Sequence, residues 1–138
     1  MVNGRVAYYY KNGKKENEGV FKHGIKQGYY KEWNKNGVLT LEGQFKNDLQ
    51  DSIWTYYNDN GRRIKEEIYS SKDPMKLVNL YSPNGDTLVK NGNGNYITWF
   101  DNGKPKEKGY YLNGYRHLTW ESFYKNGNTF KKGEYKKW

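Results

Sequence analysis

Gly28-Tyr29-Tyr30-Lys31-Glu32-Trp33-Asn34-Lys35-Asn36-Gly37, continued by Glu42-Gly43-Gln44-Phe45-Lys46-Asn47, is the stretch on which the fold turns. Large rings crowd the approach to an Asn-Gly pair, and a glycine followed by an aromatic stands on the return. Asn-Gly is a strong hairpin signal, because a type I′ turn needs φ > 0 at both central positions. The same pair recurs as Asn12-Gly13, Asn36-Gly37, Asn60-Gly61, Asn84-Gly85, Asn102-Gly103 and Asn126-Gly127. Four of the five intervals are 24 residues and one is 18. A fixed period of this size marks a repeat architecture. The chain therefore reads as all-β, a row of about six hairpins with Asn-Gly type I′ turns.

Aligning the units on the turn glycine exposes the pattern. Four residues before it stand Tyr9, Trp33, Tyr57, Tyr81, Trp99 and Phe123, the structural aromatics of the repeat. Seven before it stand Val6, Tyr30, Trp54, Val78, Tyr96 and Trp120. Six after it stand Gly19, Gly43, Glu67, Asn91, Gly109 and Gly133; eight after it stand Phe21, Phe45, Tyr69, Tyr111 and Tyr135. The returning glycine and aromatic share a strand face. A strand glycine there leaves room for a ring from the opposite strand. Positions seven and four before the turn lie three apart, so either both faces carry rings or a bulge intervenes. A second set of turn signals, His23-Gly24, Asn47-Asp48, Ser71-Lys72-Asp73-Pro74 and Asn113-Gly114, joins each hairpin to the next. This gives a meander of about twelve short strands with no helical periodicity. Unit boundaries fall near 3–23, 24–47, 48–71, 72–91, 92–113 and 114–138 of a single repeat domain. The fourth unit is irregular: Pro74 and Pro83 flank its first strand, and Asn91-Gly92-Asn93-Gly94 cuts its second half short by six residues. A tight turn is expected at Gly92–Gly94, with a break in the regular sheet within 70–95.

Composition narrows the function. The aliphatic supply is small, whereas 5 Trp, 15 Tyr and 5 Phe are present, so cross-strand ring pairs must hold a thin sheet. There is no cysteine and only His23 and His117, which excludes disulfides and multi-histidine metal sites. No cofactor is expected. No apolar run approaches a membrane span, and the start lacks an apolar signal core. The chain reads as cytoplasmic; a processed secreted form would look the same. Net charge is +9, and residues 104–138 carry nine Lys/Arg against three Asp/Glu. A basic surface attracts nucleic acid, anionic lipid or an acidic protein.

These residues resemble the MORN-repeat family, in the bacterial variant found in YwqK-like antitoxin proteins. A second good copy is Gly94-Asn95-Tyr96-Ile97-Thr98-Trp99-Phe100-Asp101-Asn102-Gly103, continued by Lys108-Gly109-Tyr110-Tyr111-Leu112-Asn113-Gly114. The resemblance covers residues 3–138. Ser52 and Lys76 replace the leading glycine in the third and fourth units, and Glu67 and Asn91 the later one. The resemblance implies an elongated, twisted, single-layer antiparallel β array that binds rather than catalyses. Bacterial members are commonly labelled antitoxins or immunity-type proteins; eukaryotic relatives are associated with membrane lipids and scaffolding.

Catalytic constellations are weak. No serine lies in a nucleophile elbow, and His23 and His117 read as turn residues. Glu18, Glu42 and Glu66 share one repeat position and form an expected ladder with lysines on neighbouring strands. The rings not demanded by the repeat, Tyr10, Tyr29, Tyr56, Phe100, Tyr110 and Tyr124, are candidate partner-binding residues together with Arg116, since aromatics and arginine anchor interfaces. The reading is a non-enzymatic module binding a protein partner, such as a toxin. The alternative is a basic scaffold for anionic lipid headgroups or nucleic acid. The sheet edges at Gly4–Tyr10 and Gly133–Trp138 are templates for end-to-end pairing of two copies.

Overall fold

A computed structural model describes residues 1–136. Twelve antiparallel strands follow one another in chain order: β1 (Gly4–Tyr9), β2 (Lys15–Lys22), β3 (Ile25–Trp33), β4 (Leu39–Lys46), β5 (Leu49–Tyr57), β6 (Arg63–Tyr69), β7 (Lys76–Tyr81), β8 (Thr87–Lys90), β9 (Asn93–Trp99), β10 (Pro105–Leu112), β11 (Tyr115–Phe123) and β12 (Thr129–Tyr135). The described residues contain no helix. The all-β meander read from the sequence is what the chain forms. Its strands fall into two compact units, β1–β6 in Met1–Met75 and β7–β12 from Lys76 onward. The boundary lies inside the stretch 70–95 where the repeat loses regularity. Of the expected edge segment Gly133–Trp138, residues 137 and 138 lie outside the described residues.

The Asn-Gly beat makes a different turn from the one its sequence suggests. All six turn glycines have positive φ, but none of the six preceding asparagines does. In each case two backbone bonds close a three-residue loop, as in Tyr10 N–H to Lys14 O at 2.8 Å and Gly13 N–H to Tyr10 O at 3.0 Å. This is a type I turn followed by a left-handed glycine. The register then slips by one residue at each loop, for example between Tyr8 and Tyr9 opposite Lys15 and Asn17. The type I′ turns are the alternate ones. His23-Gly24, Asn47-Asp48, Asn91-Gly92 and Asn113-Gly114 have φ between 51 and 88° at both residues. The tight turn of the fourth unit is thus Asn91-Gly92, and Gly94 lies inside β9.

Both faces carry rings. Along β3, Tyr30 packs with Phe45 and Trp54 on one face, whereas Trp33 lies under Lys15 on the other. The first face holds a ring ladder. In the first unit it runs Tyr30, Phe45, Trp54, Tyr69, with successive centroids 5.5, 5.1 and 6.3 Å apart. In the second it runs Tyr96, Tyr111, Trp120, Tyr135, at 5.5, 5.1 and 6.3 Å. Trp54 and Trp120 are 1% and 3% exposed, and each indole N–H donates to a carbonyl 3.1 Å away, Gln44 O and Tyr110 O respectively. The returning glycines make this possible: a Cβ on Gly43 or Gly109 would fall inside the facing indole, and one on Gly19 would meet Tyr30 at 3.3 Å. The room expected at these glycines is occupied as expected.

The second unit adds an aliphatic cluster of Leu77, Leu80 and Val89, packed against Leu88, Tyr96 and Tyr111. It fills the place where the shortened β8 supplies no Gly-x-aromatic pair. The Asn91-Gly92 turn is tied on both sides, Gly92 N–H to Val78 O at 2.7 Å and Gly114 N–H to Gly92 O at 2.9 Å.

Gly43→Ala or Gly109→Ala is expected to lower stability by about 1–3 kcal/mol, the usual cost of overpacking. Gly133→Ala, with nothing within 4 Å of the added carbon, should change it by less than about 0.5 kcal/mol. Urea midpoints of the three variants check both statements.

Candidate functional site

On the face opposite the ring ladder, alternation along each strand presents charged rows. In the first unit Ala7, Glu18, Lys31, Glu42, Thr55 and Glu66 lie directly opposite one another across six strands. The glutamate ladder is therefore in register, with Lys31 between Glu18 and Glu42. Its ion pairs, however, run along the strand rather than across it. Lys15 Nζ reaches Glu18 Oε2 at 2.6 Å and Arg63 reaches Glu66 at 3.5 Å. Regular β alternation would put i and i+3 on opposite faces; they meet here because the register slip after each loop turns the first residue of the strand toward the carboxylate. The Tyr29 hydroxyl also donates to Glu18 Oε1 at 2.8 Å. The Lys15 and Tyr29 hydrogen bonds hold the Glu18 carboxyl below its ordinary value near 4.5, and Glu18 in turn raises Lys15.

The second unit carries the opposite charge at the same repeat position. Five residues after the turn glycine the sequence reads Glu18, Glu42, Glu66, then Lys90, Lys108, Lys132. Ile97, Lys108, Glu121 and Lys132 stand opposite one another on β9 to β12. They line a wide, open groove of about 710 Å³ with Tyr110 and Leu118. Thr129 donates to Glu121 Oε2 at 2.7 Å, leaving the two lysines flanking a carboxylate that is already engaged.

The candidate partner-binding residues do not gather into one patch. Tyr29 lies on the charged face of the first unit and Tyr110 in the groove of the second. Tyr56 sits on the ladder face under Lys65, 4.7 Å from its ring centroid. Tyr10, Phe100 and Tyr124 share the residue that opens the three-residue loop; the Tyr10 hydroxyl donates to Trp33 O at 2.7 Å, Phe100 lies under Lys106, and Tyr124 is 54% exposed against Phe130. Arg116 is built into the ladder: it stacks 4.2 Å from Trp120, 5.6 Å from Tyr135, and pairs with Glu107 at 3.4 Å. The structural aromatics Tyr9, Trp33, Tyr57, Tyr81, Trp99 and Phe123 each end a strand, and Tyr9 and Trp99 are exposed. His23 is a turn residue as expected, but His117 lies within β11 opposite Tyr110. Lys108 and Lys132 were not among the candidates; the signal that finds them is the change of sign at one repeat position.

Among the described residues no cluster of three or more His, Cys, Asp or Glu could hold a metal ion. No helix among them is long and apolar enough to cross a membrane. Burial pushes the Tyr30, Tyr69 and Tyr96 phenols up, so these ladder rings stay neutral at physiological pH.

The MORN repeat variant family matches residues 2–23, 26–47, 92–113 and 116–137, more than half of the chain. The chain belongs to that family. Repeats of this kind are commonly binding modules and are generally non-enzymatic. No curated protein and no solved structure matches the chain. The matches skip 48–91, where Ser52, Glu67, Lys76 and Asn91 stand in place of the repeat glycines.

Because the folded Glu18 carboxyl is depressed, its stabilising contribution is present above the unfolded value and lost as pH falls through the folded one. Lys15→Ala is expected to move the Glu18 titration midpoint upward toward 4.5, read from its side-chain carbon by NMR.

Proposed function

We propose that this chain is a non-catalytic binding module that receives a protein partner in the groove of the second unit. Acidic groups of the partner meet Lys108 and Lys132 on either side of Glu121, whose carboxylate accepts from Thr129, and an apolar side chain rests on Ile97 and Tyr110. At its finest, the reading is a bacterial antitoxin or immunity-type protein of the YwqK-like kind, holding a toxin that bears acidic surface.

One observation carries the reading. In the second unit the ladder face buries Trp120 among its own rings, whereas the opposite face keeps an open groove lined by Lys108, Glu121, Lys132 and apolar side chains. A mixed apolar and charged concavity of this sort suits a protein surface, in which charge sets orientation and apolar contact supplies affinity. A surface that imitated nucleic acid to block a nuclease would be acidic, and this one is basic.

The test is affinity capture from nuclease-treated lysate of the source organism, read by mass spectrometry, with wild type and Lys108→Glu/Lys132→Glu side by side. Both lysines are exposed, and an unchanged circular-dichroism spectrum of the variant is the control for its fold. A stoichiometric protein partner retained by wild type and reduced at least about tenfold by the variant is expected, as charge reversal at paired sites costs a few kcal/mol. Equal recovery by the variant overturns the reading. So does recovery that disappears with nuclease, or recovery of anionic lipid alone.

A further inference from the structure

We infer that a second copy of this chain docks head to tail, laying its β1 against the open edge of β12. The argument rests on how successive hairpins grip each other inside each unit. Two contacts recur in both units, and a third is made in the first. A ring from the following strand sits over the returning glycine, as Tyr30 over Gly19, Trp54 over Gly43 and Trp120 over Gly109. The residue opening a loop reaches the next hairpin, as the Tyr10 hydroxyl does to Trp33 O at 2.7 Å. The loop asparagine amide donates to the next loop, Asn12 Nδ2 to Lys35 O at 3.0 Å and Asn102 Nδ2 to Lys125 O at 3.0 Å.

The β12 edge presents all three groups with no further hairpin among the described residues to receive them, although the Tyr124 ring packs against Phe130. Gly133 has nothing within 4 Å of its Cβ position, Tyr124 is exposed, and the Asn126 side chain accepts from Asn128 N–H while its amide donates to nothing. The β1 edge presents the complements. In the repeat alignment Val6 stands where Trp54 does, Tyr9 where Trp33 does, and Lys11 where Lys35 does. Gly4 has φ of +96°, the left-handed conformation that Gly28 (+116°) and Ser52 (+62°) adopt where an interior strand accommodates the one before it. Among the described residues no strand pairs with β1 on that side.

Size and charge fit the same pairing. Val6 is smaller than the ring found at its position in most other units, and a cleft of about 220 Å³ lies beside it, lined also by Phe21 and Tyr30. Tyr135 of the other copy, aligned with Phe45, would seat against Val6 there. On the charged face the row Lys108, Glu121, Lys132 would continue into Ala7 and Glu18 of the second copy, placing the Lys132 ammonium within reach of a carboxylate across a small residue. Such a contact is heterologous, so each addition leaves a free β12 edge and a free β1 edge.

Two measurements test this. Sedimentation of the purified chain should show a mass that rises with concentration and passes two protomers. Gly133→Phe, which meets nothing in the single protomer, should hold the chain as a monomer. Tyr124→Phe/Asn126→Asp removes two donors but keeps the acceptor for Asn128 N–H, and should weaken association about tenfold or more. The chain has no cysteine, so single labels can be placed by Lys11→Cys and Lys125→Cys. Mixing donor at position 11 with acceptor at position 125 should give energy transfer, and mixing two pools both labelled at 125 should give none. A mass independent of concentration, unchanged association in both variants, or transfer between two pools labelled at 125 would overturn the inference.

Discussion

The indole of Trp54 over Gly43 is the contact on which this architecture depends. Among the described residues no helix packs against the strands of either unit, so within a unit a strand has no helical layer against which to bury its side chains. Burial has to come from the neighbouring strand of the same sheet. A ring can lie down on its neighbour only where that neighbour has no side chain, and glycine supplies the space. The indole N–H then finds the carbonyl of the residue after the glycine, so a large ring is buried without an unsatisfied donor. Trp120 repeats the arrangement over Gly109 with the same carbonyl position. The spacing of glycine and ring around each turn is thus a packing requirement before it is a sequence motif.

That requirement explains what could be read in advance. The ring-to-glycine relation follows from side-chain volume, and volume is visible in a sequence. Turn geometry was less legible, because Asn-Gly suits more than one hairpin loop. The choice is made by whether the flanking residues pair across two or three intervening positions, which is a property of register. Tyr10 pairs with Lys14, and the extra residue forces Asn12 out of the left-handed region. Its side chain instead accepts from Lys14 N–H at 2.9 Å, a role glycine could not fill. The less conspicuous pairs His23-Gly24 and Asn47-Asp48 take the type I′ geometry because only two residues separate their strands.

The same limit applied to the candidate site. Rings adjacent to the repeat positions were noticeable as excess, but adjacency along a strand means opposite faces. Tyr29 and Tyr30 are neighbours in sequence, and one bonds Glu18 on the charged face while the other joins the ladder. Arg116 looked available and is instead clamped between Trp120, Tyr135 and Glu107. Lys108 and Lys132 were hidden by the opposite effect: a lysine in a basic chain draws no attention until the units are stacked and its counterparts turn out to be Glu18, Glu42 and Glu66.

The reversal of charge is possible because the two faces answer to different constraints. Substituting a ladder ring or its glycine disturbs burial, and the shortened β8 shows what replacement demands: an aliphatic cluster of Leu77, Leu80 and Val89 where a Gly-x-aromatic pair is missing. The charged face is coupled by polar contacts of side chains rather than by buried rings. Glu42 and Lys108 occupy equivalent strand positions, Glu42 beside Tyr57 and Lys108 over the Phe123 ring, and the same backbone carries either sign. A repeat protein built this way can hold its fold with one face and change its partner with the other. The position that varies in sign while the ladder stays fixed is therefore free of the packing constraint, and in β10 and β12 it is occupied by Lys108 and Lys132.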